Sequence, residues 1–276
     1  MKDAAPLRVE FWGVRGSFPA PEAGNLGYGG NTACVEVRYG DQPRLIFDAG
    51  SGLRRLGLAL IEEAGGEDRT ARIFLSHFHW DHIQGIPSLV PLYRPDWRLV
   101  FHSAVPGADL EAMLARQMKA PYFAAESAVR AEREYRQVCS EGLQAGGLTV
   151  RSFPLNHPGG CVGYRIDAPH ASLVYATDHE HGDPASDRIL REYARDADIL
   201  ICDAQYTPQE YPYRKSWGHS TWLEATRVAR DSGVKQLVLF HHDPEHDDQA
   251  MARILDQARA EFENTMSARE GWSLTL

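Results

Sequence analysis

Short runs rich in β-branched and aromatic residues, alternating with polar ones, predict strands at Leu7–Trp12, Thr32–Tyr39 and Arg44–Phe47. The last two are joined by Gly40-Asp41-Gln42-Pro43, a turn-like linker that suits a hairpin. Apolar residues then recur at helical spacing over Leu53–Glu63, and Gly65-Gly66 closes that helix. A short buried strand is expected at Arg72–Leu75, another at Trp97–His102, and a helix at Asp109–Met118. From Ala120 to Gly147 no period is legible. The pattern resumes with strands at Leu148–Phe153, Val162–Ile166 and Ser172–Ala176, a helix near Ser186–Tyr193 and a strand at Ile199–Cys202. A helix at Thr221–Asp231, a strand at Gln236–Phe240, a helix at Asp248–Asn264 and a strand at Trp272–Leu276 complete the chain. Strands come first as meanders and then alternate with helices, twice over, with no sequence repeat and no Pro/Ser-rich linker. That order predicts an α/β fold: a four-layer αββα sandwich forming a single domain over residues 1–276.

Composition changes this picture little. A hydrophobic fraction of 43% and a charged fraction of 24% are ordinary for a globular protein with a sizeable core. The formal net charge of −9 disfavours a polynucleotide partner, whose affinity comes mainly from Lys/Arg contacts to phosphates. No signal-peptide core and no apolar stretch long enough to cross a bilayer is visible, so the expectation is a soluble cytoplasmic protein without a membrane partner. Cys34, Cys139, Cys161 and Cys202 are far apart and make no CxxC, and those at 34, 161 and 202 sit in strand-like runs as small buried thiols.

The candidate chemistry starts at Ser76-His77-Phe78-His79-Trp80-Asp81-His82, directly after the apolar run Ile73-Phe74-Leu75. A chain leaving a strand in extended form points residues 77, 79 and 81 to one side, and a following turn brings His82 round. Imidazole nitrogen with carboxylate oxygen suits Zn²⁺, with Mn²⁺ or Fe²⁺ as alternatives. A solvated loop rich in histidine is the competing explanation. Four ligand-type residues within six positions at a strand end outweigh it.

Further ligands are expected at other strand ends. His157 follows a strand in Leu155-Asn156-His157-Pro158, Asp178 ends the run Val174-Tyr175-Ala176-Thr177, and His241 ends Leu237-Val238-Leu239-Phe240. Each taken singly reads as an ordinary loop residue. Their coincidence with the first cluster reverses that judgement.

Over nearly the whole chain, these residues resemble the metallo-β-lactamase superfamily. Phe47-Asp48-Ala49-Gly50 looks like its first motif, whose Asp supports the metal-binding loop, and His77, His79, Asp81 and His82 match the second. The resemblance implies a two-metal hydrolase. One ion would take His77, His79 and His157, the other Asp81, His82 and His241, with Asp178 bridging. Within the superfamily the chain is similar to the phosphodiesterase branch that includes tRNase Z and small cyclic-phosphodiester hydrolases. Gly218-His219-Ser220-Thr221 resembles the surroundings of tRNase Z's non-ligand catalytic histidine, and Cys202-Asp203-Ala204-Gln205 stands where that family has His-Glu-Ala-Thr. The acidic side chain is shortened to Asp203. The tRNA-gripping arm between the ligands equivalent to His157 and Asp178 is replaced by a short segment, which argues for a small substrate and against tRNA. Relatives in this branch are often dimers, so the analogy implies a homodimer.

The expected mechanism uses two divalent ions to activate water and clamp phosphoryl oxygens, with the ligand Asp81 among the catalytic residues. His219 would protonate the leaving alkoxide, kept protonated and aimed by Asp203. Capping or packing is the alternative role for His219, which precedes a helix whose Thr221…Glu224 spacing resembles a capping box. Arg15, in Gly13-Val14-Arg15-Gly16-Ser17, reads equally as a phosphate contact or a surface arginine. His242-Asp243 and His246-Asp247-Asp248 fit a solvated loop better than a further metal site. His179 and His181 flank Asp178 and are left between lining the mouth and no chemical role; Phe78 and Trp80 are expected behind the ligands, with base stacking by Trp80 the lesser reading, and Trp217 as a substrate wall. The leading function is a metal-dependent phosphodiesterase for a small diester such as a cyclic nucleotide. A lactone, ester or thioester hydrolase on the same metals is the alternative, and a non-catalytic metal- or ligand-sensing domain a third.

Overall fold

The computed structural model describes residues 5–64, 69–123, 128–138, 141–145 and 147–276. Among the described residues two seven-stranded sheets lie face to face, and each repeats one plan. In the first sheet β1 (Leu7–Gly13), β2 (Cys34–Tyr39) and β3 (Arg44–Phe47) form an antiparallel meander. After helix α1 (Leu53–Glu63), β4 (Thr70–Leu75) pairs parallel to β3. A short helix α2 (Trp80–Ile83) follows, then β5 (Arg98–Ser103), helix α3 (Leu110–Gln117) and β6 (Glu132–Gln137), again in parallel.

The second sheet starts from β7 (Leu143–Ala145), β8 (Leu148–Leu155), β9 (Cys161–Asp167) and β10 (Ser172–Ala176), all antiparallel neighbours. Helix α4 (Pro184–Ala194), β11 (Ile199–Asp203), α5 (Trp222–Asp231), β12 (Gln236–Phe240), α6 (Asp248–Glu261) and β13 (Thr265–Ser267) then extend it in parallel. The last strand, β14 (Ser273–Thr275), returns to the first sheet beside β1.

The layering follows from the burial pattern. On β1 the alternate residues Leu7, Val9 and Phe11 are buried and face the inter-sheet core with Phe47, Tyr164, Tyr175 and Phe240. Every residue of β10 and β11 is buried, as a strand covered on both faces requires. Helices α4, α5 and α6 cover the outside of the second sheet through Leu190, Ala225 and Ile254, and α1 and α3 cover the first through Leu56 and Leu114. The four-layer αββα expectation is therefore met. No helix among the described residues is long and apolar enough to cross a membrane.

Several boundaries differ for local reasons. The strand expected from Thr32 begins at Cys34, because Thr32 is diverted into a bridge with Arg15. The helix expected to Asn264 stops at Glu261, where Phe262 turns extended, and β13 pairs beside β12 instead. Strands β6 and β7 lie in the stretch without a legible period. The charged run Glu132–Gln137 is an edge strand with little to bury. The Gly65-Gly66 helix stop and Cys139 fall outside the described residues.

Candidate metal centre

Five of the seven expected metal ligands, and Asp203 beside them, project from strand ends on one rim of the sandwich. His77 and His79 follow β4, His157 follows β8, Asp178 follows β10, Asp203 closes β11, and His241 follows β12. The extended run expected through Asp81 is corrected. His79 is extended but caps α2, so Asp81 and His82 lie in the first turn of a short helix. That turn is packed against the end of β3: Ala49 N–H donates to His82 O at 2.8 Å, and a Cβ on Gly50 would meet Asp81 O at 2.3 Å.

The donors converge in two overlapping groups. His79 Nδ1 and His157 Nε2 are 3.0 Å apart beside His77, and His82 Nε2 and His241 Nε2 are 3.2 Å apart beside Asp81 Oδ2. Asp178 faces both. Its Oδ2 is 3.2 Å from His82 Nε2 and 3.4 Å from His241 Nε2, while its Oδ1 is 3.7 Å from His77 Nε2 and 3.8 Å from His157 Nε2. A carboxylate so placed can bridge two cations.

The second ring nitrogens of His82, His157 and His241 are held by neighbours that orient the rings. Asp48 Oδ2 lies 2.8 Å from His82 Nδ1 and accepts from Ser76 Oγ and Tyr175 OH at 2.8 Å each. His157 Nδ1 donates to Gly218 O at 2.8 Å, and His241 Nδ1 to Gln205 Oε1 at 2.9 Å. Asp81 Oδ2 accepts from Ser17 N–H at 2.8 Å. Sequence reasoning missed Ser17, Ser76, Tyr175 and Gln205 as supports. Of these only Gln205, beside Asp203 in its motif, carried a signal. Asp48, Asp178 and His241 have φ of 61°, 56° and 60°, a strained setting for non-glycine residues that clusters where function demands it.

The donor set fits a cation. His77 Nε2 is buried with no hydrogen-bond partner, although it points at Asp178. Burial holds the His77, His79 and His157 imidazoliums unfavourable, which keeps these rings neutral as ligands need to be. Burial opposes charge on His82 too, but the carboxylates of Asp178, Asp81 and Asp48 overcome it and raise its pKa. Asp178 and Asp81 are driven the other way, their burial outweighed by the surrounding imidazoles.

His219 stands beside this set, its ring centroid 5.1 Å from that of His157 and 4.9 Å from that of His241. Its Nδ1 is 2.7 Å from Asp203 Oδ2. Asp203 is fully buried and also accepts from the N–H groups of Asp178, Gln205 and Ser220 at 3.1 Å each. Burial pulls the His219 pKa down, but the charge and hydrogen bond of Asp203 win and raise it to about 9. Helix α5 follows at once, with Thr221 Oγ1 accepting from Glu224 N–H at 3.2 Å, while the Glu224 carboxylate pairs with Arg227.

The centre forms the floor of an open cleft of about 820 Å³ lined by His79, Asp81 and His219. Trp80 and Phe78 line it too, and Trp80 is 62% exposed, so the expectation that it packs behind the ligands is overturned. Trp217 lines the cleft, with the Arg214 guanidinium 4.8 Å above its ring. Arg15 is neither a phosphate contact nor a surface residue. It is fully buried, donating to the carbonyls of Gly29, Asp243 and His246 at 2.7 to 2.9 Å. The loop with His242 and His246 is solvated only in part: Glu245 and Asp247 are exposed, but both rings are buried, His242 donating to Ala268 O and His246 facing Glu210. His179 is buried against Asp187, whereas His181 lines a neighbouring hollow with Tyr211.

Residues 43–242 match the model of the beta-lactamase superfamily domain. The chain is 30% identical to the uncharacterized protein ML1173 of Mycobacterium leprae over 266 residues, covering 95% of this chain and 86% of that one. It is 26% identical over 318 residues to the ribonuclease Z of Archaeoglobus fulgidus, covering 98% of each. Among solved structures it superposes on the metallo-beta-lactamase fold protein YhfI of Bacillus subtilis with a TM-score of 0.76 at 22% identity, covering 99% of this chain and 100% of the other. That likeness bears on the fold alone.

Proposed function

The chain belongs to the metallo-β-lactamase superfamily of metal-dependent hydrolases, and from that premise we propose that it is a two-metal phosphodiesterase acting on a small phosphodiester, with a cyclic nucleotide as the leading candidate. The observation that carries this reading is the Asp203–His219 pair, 2.7 Å apart at the floor of the cleft beside His157 and His241. A leaving alkoxide needs a proton, and this pair is built to deliver one.

His77, His79 and His157 would hold one divalent ion and Asp81, His82 and His241 the other, with Asp178 between them and zinc the first choice for this donor set. Bound there, the ions supply an activated water and a clamp on the phosphoryl oxygens. The chain's own residues do the rest. Asp203 fixes Nδ1 of His219, which leaves Nε2 as the ring atom able to give a proton to the leaving oxygen. Ser17 N–H and Gln205 aim Asp81 and His241. Trp217, Trp80 and Phe18 offer aromatic faces to a base, and Arg214 offers a phosphate partner.

A relative named ribonuclease Z supports phosphodiester chemistry. A small substrate is supported by the net charge of −9 and by the run from His157 to Asp178, which is filled by β9, β10 and their short connections. Substrates differing only in leaving group test the acid. His219→Ala should lose far more activity on an alkyl leaving group than on p-nitrophenolate, which departs without a proton. Equal losses on both would remove His219 from that role.

A further inference from the structure

Glu180 lies two residues beyond Asp178, is 8% exposed, and has both carboxylate oxygens engaged on the cleft wall. Its Oε1 accepts from Ser216 N–H at 2.7 Å and from the Tyr211 hydroxyl at 2.9 Å, and its Oε2 accepts from Gly218 N–H at 2.8 Å. Its backbone is tied to the loop that carries His157. Glu180 N–H donates to Asn156 O at 2.8 Å, and Asn156 Nδ2 donates to Glu180 O at 2.8 Å. One buried residue thus joins the loop after β8 through its backbone, and the wall at 211–218 through its side chain, to the loop after β10.

The residue it grips, Gly218, contacts the metal centre directly. Its N–H is held by Glu180 and its carbonyl accepts from His157 Nδ1 at 2.8 Å, so the two are linked through a single residue. No other residue fits there. Gly218 has φ of 92°, and a Cβ would stand 2.2 Å from His157 Nδ1. On the cleft side of the same turn stand Arg214 and the half-exposed Trp217, whose N–H closes back on Arg214 O at 3.1 Å. Burying a carboxylate is costly unless its charge is met by donors. Here the donors it takes are those that fix this wall.

We infer that Glu180 is a positioning residue that couples the Arg214–Trp217 wall to the ligand His157, so that ordering the wall and binding a metal at His77, His79 and His157 support one another. The inference rests on the proposed reading of these histidines as a metal site. Loss of the carboxylate releases the Gly218 peptide, and His157 then loses the fixed acceptor that orients its ring.

Zinc affinity of the full chain, read by chelator competition, tests this without any turnover. Glu180→Gln should bind zinc about tenfold more weakly than wild type, the scale seen when the partner orienting a metal-ligating histidine is removed. Wild-type affinity in a folded Glu180→Gln protein would overturn the coupling and leave the metal centre standing. Failure of the wild type itself to bind zinc would sink the metal centre, and this inference with it. A second measurement needs no variant. Amide hydrogen exchange at 214–218 in the wild type should slow over the zinc concentrations that fill the site. Exchange unchanged by zinc in that segment would also overturn the coupling.

Discussion

Asp203 Oδ2 lies 2.7 Å from His219 Nδ1, and the same carboxylate accepts three backbone N–H groups, so the aspartate is fixed before it fixes the histidine. Asp203→Asn removes the charge but keeps the shape. The expected result is a loss of kcat of about 100- to 10,000-fold on substrates with poor leaving groups, the range usual for a positioned acid. Zinc content, measured on the purified variant, should stay at the wild-type level.

Asp48 acts further from the chemistry. Its carboxylate holds His82 Nδ1, Ser76 and Tyr175, and its own backbone sits at φ of 61°. Asp48→Asn should weaken metal binding by roughly 10- to 100-fold through the freed orientation of His82. Chelator titration followed by metal analysis reads the effect. Unchanged affinity would show that His82 needs no such anchor.

Arg15 is a stability residue. Replacing it with methionine strips the donors from the carbonyls of Gly29, Asp243 and His246. Leaving these carbonyls without their donor costs about 1 kcal/mol or more each, about 3 kcal/mol together. Urea unfolding should give Arg15→Met a lower midpoint and an unfolding free energy reduced by that amount, with almost no change expected had the residue been a surface arginine.

His102 makes stability depend on pH away from the metal centre. It is fully buried, stacked 4.4 Å from Phe74, with neither ring nitrogen hydrogen-bonded. Burial, reinforced by Arg72 and Arg136, lowers its pKa from 6.5 to about 4. Between those values the unfolded chain binds the proton and the fold does not, so stability falls as pH drops from 6.5 toward 4 and levels off below. The shift corresponds to about 3 kcal/mol. Urea unfolding of chelator-treated wild type and His102→Leu across that range should show the wild type losing more stability. Parallel curves would contradict the assignment.

The sequence made the sheets and the ligands legible for the same reason. Residues that alternate along β1 or fill β10 to β12 with apolar side chains declare a core, and polar residues that interrupt those runs at the strand ends declare a rim. His77, Asp178 and His241 were visible in this way. What stayed hidden depended on contacts remote in the chain. Arg15 is satisfied by carbonyls more than two hundred residues away, and Gly218 reads as a turn until His157 is placed against it. Strands β7 and β13, three residues each, are too short to show a period and exist because a neighbouring strand offers an edge. The place of Trp80 turned on α2, a four-residue helix too short for its periodicity to announce.

The most direct test of the central claim is turnover by the metal-loaded protein across one panel: bis-p-nitrophenyl phosphate, cyclic nucleotides, lactones and thioesters. The predicted result is cleavage of the phosphodiesters, abolished by a chelator and restored by zinc. Turnover of a lactone or thioester with no cleavage of any phosphodiester would contradict it.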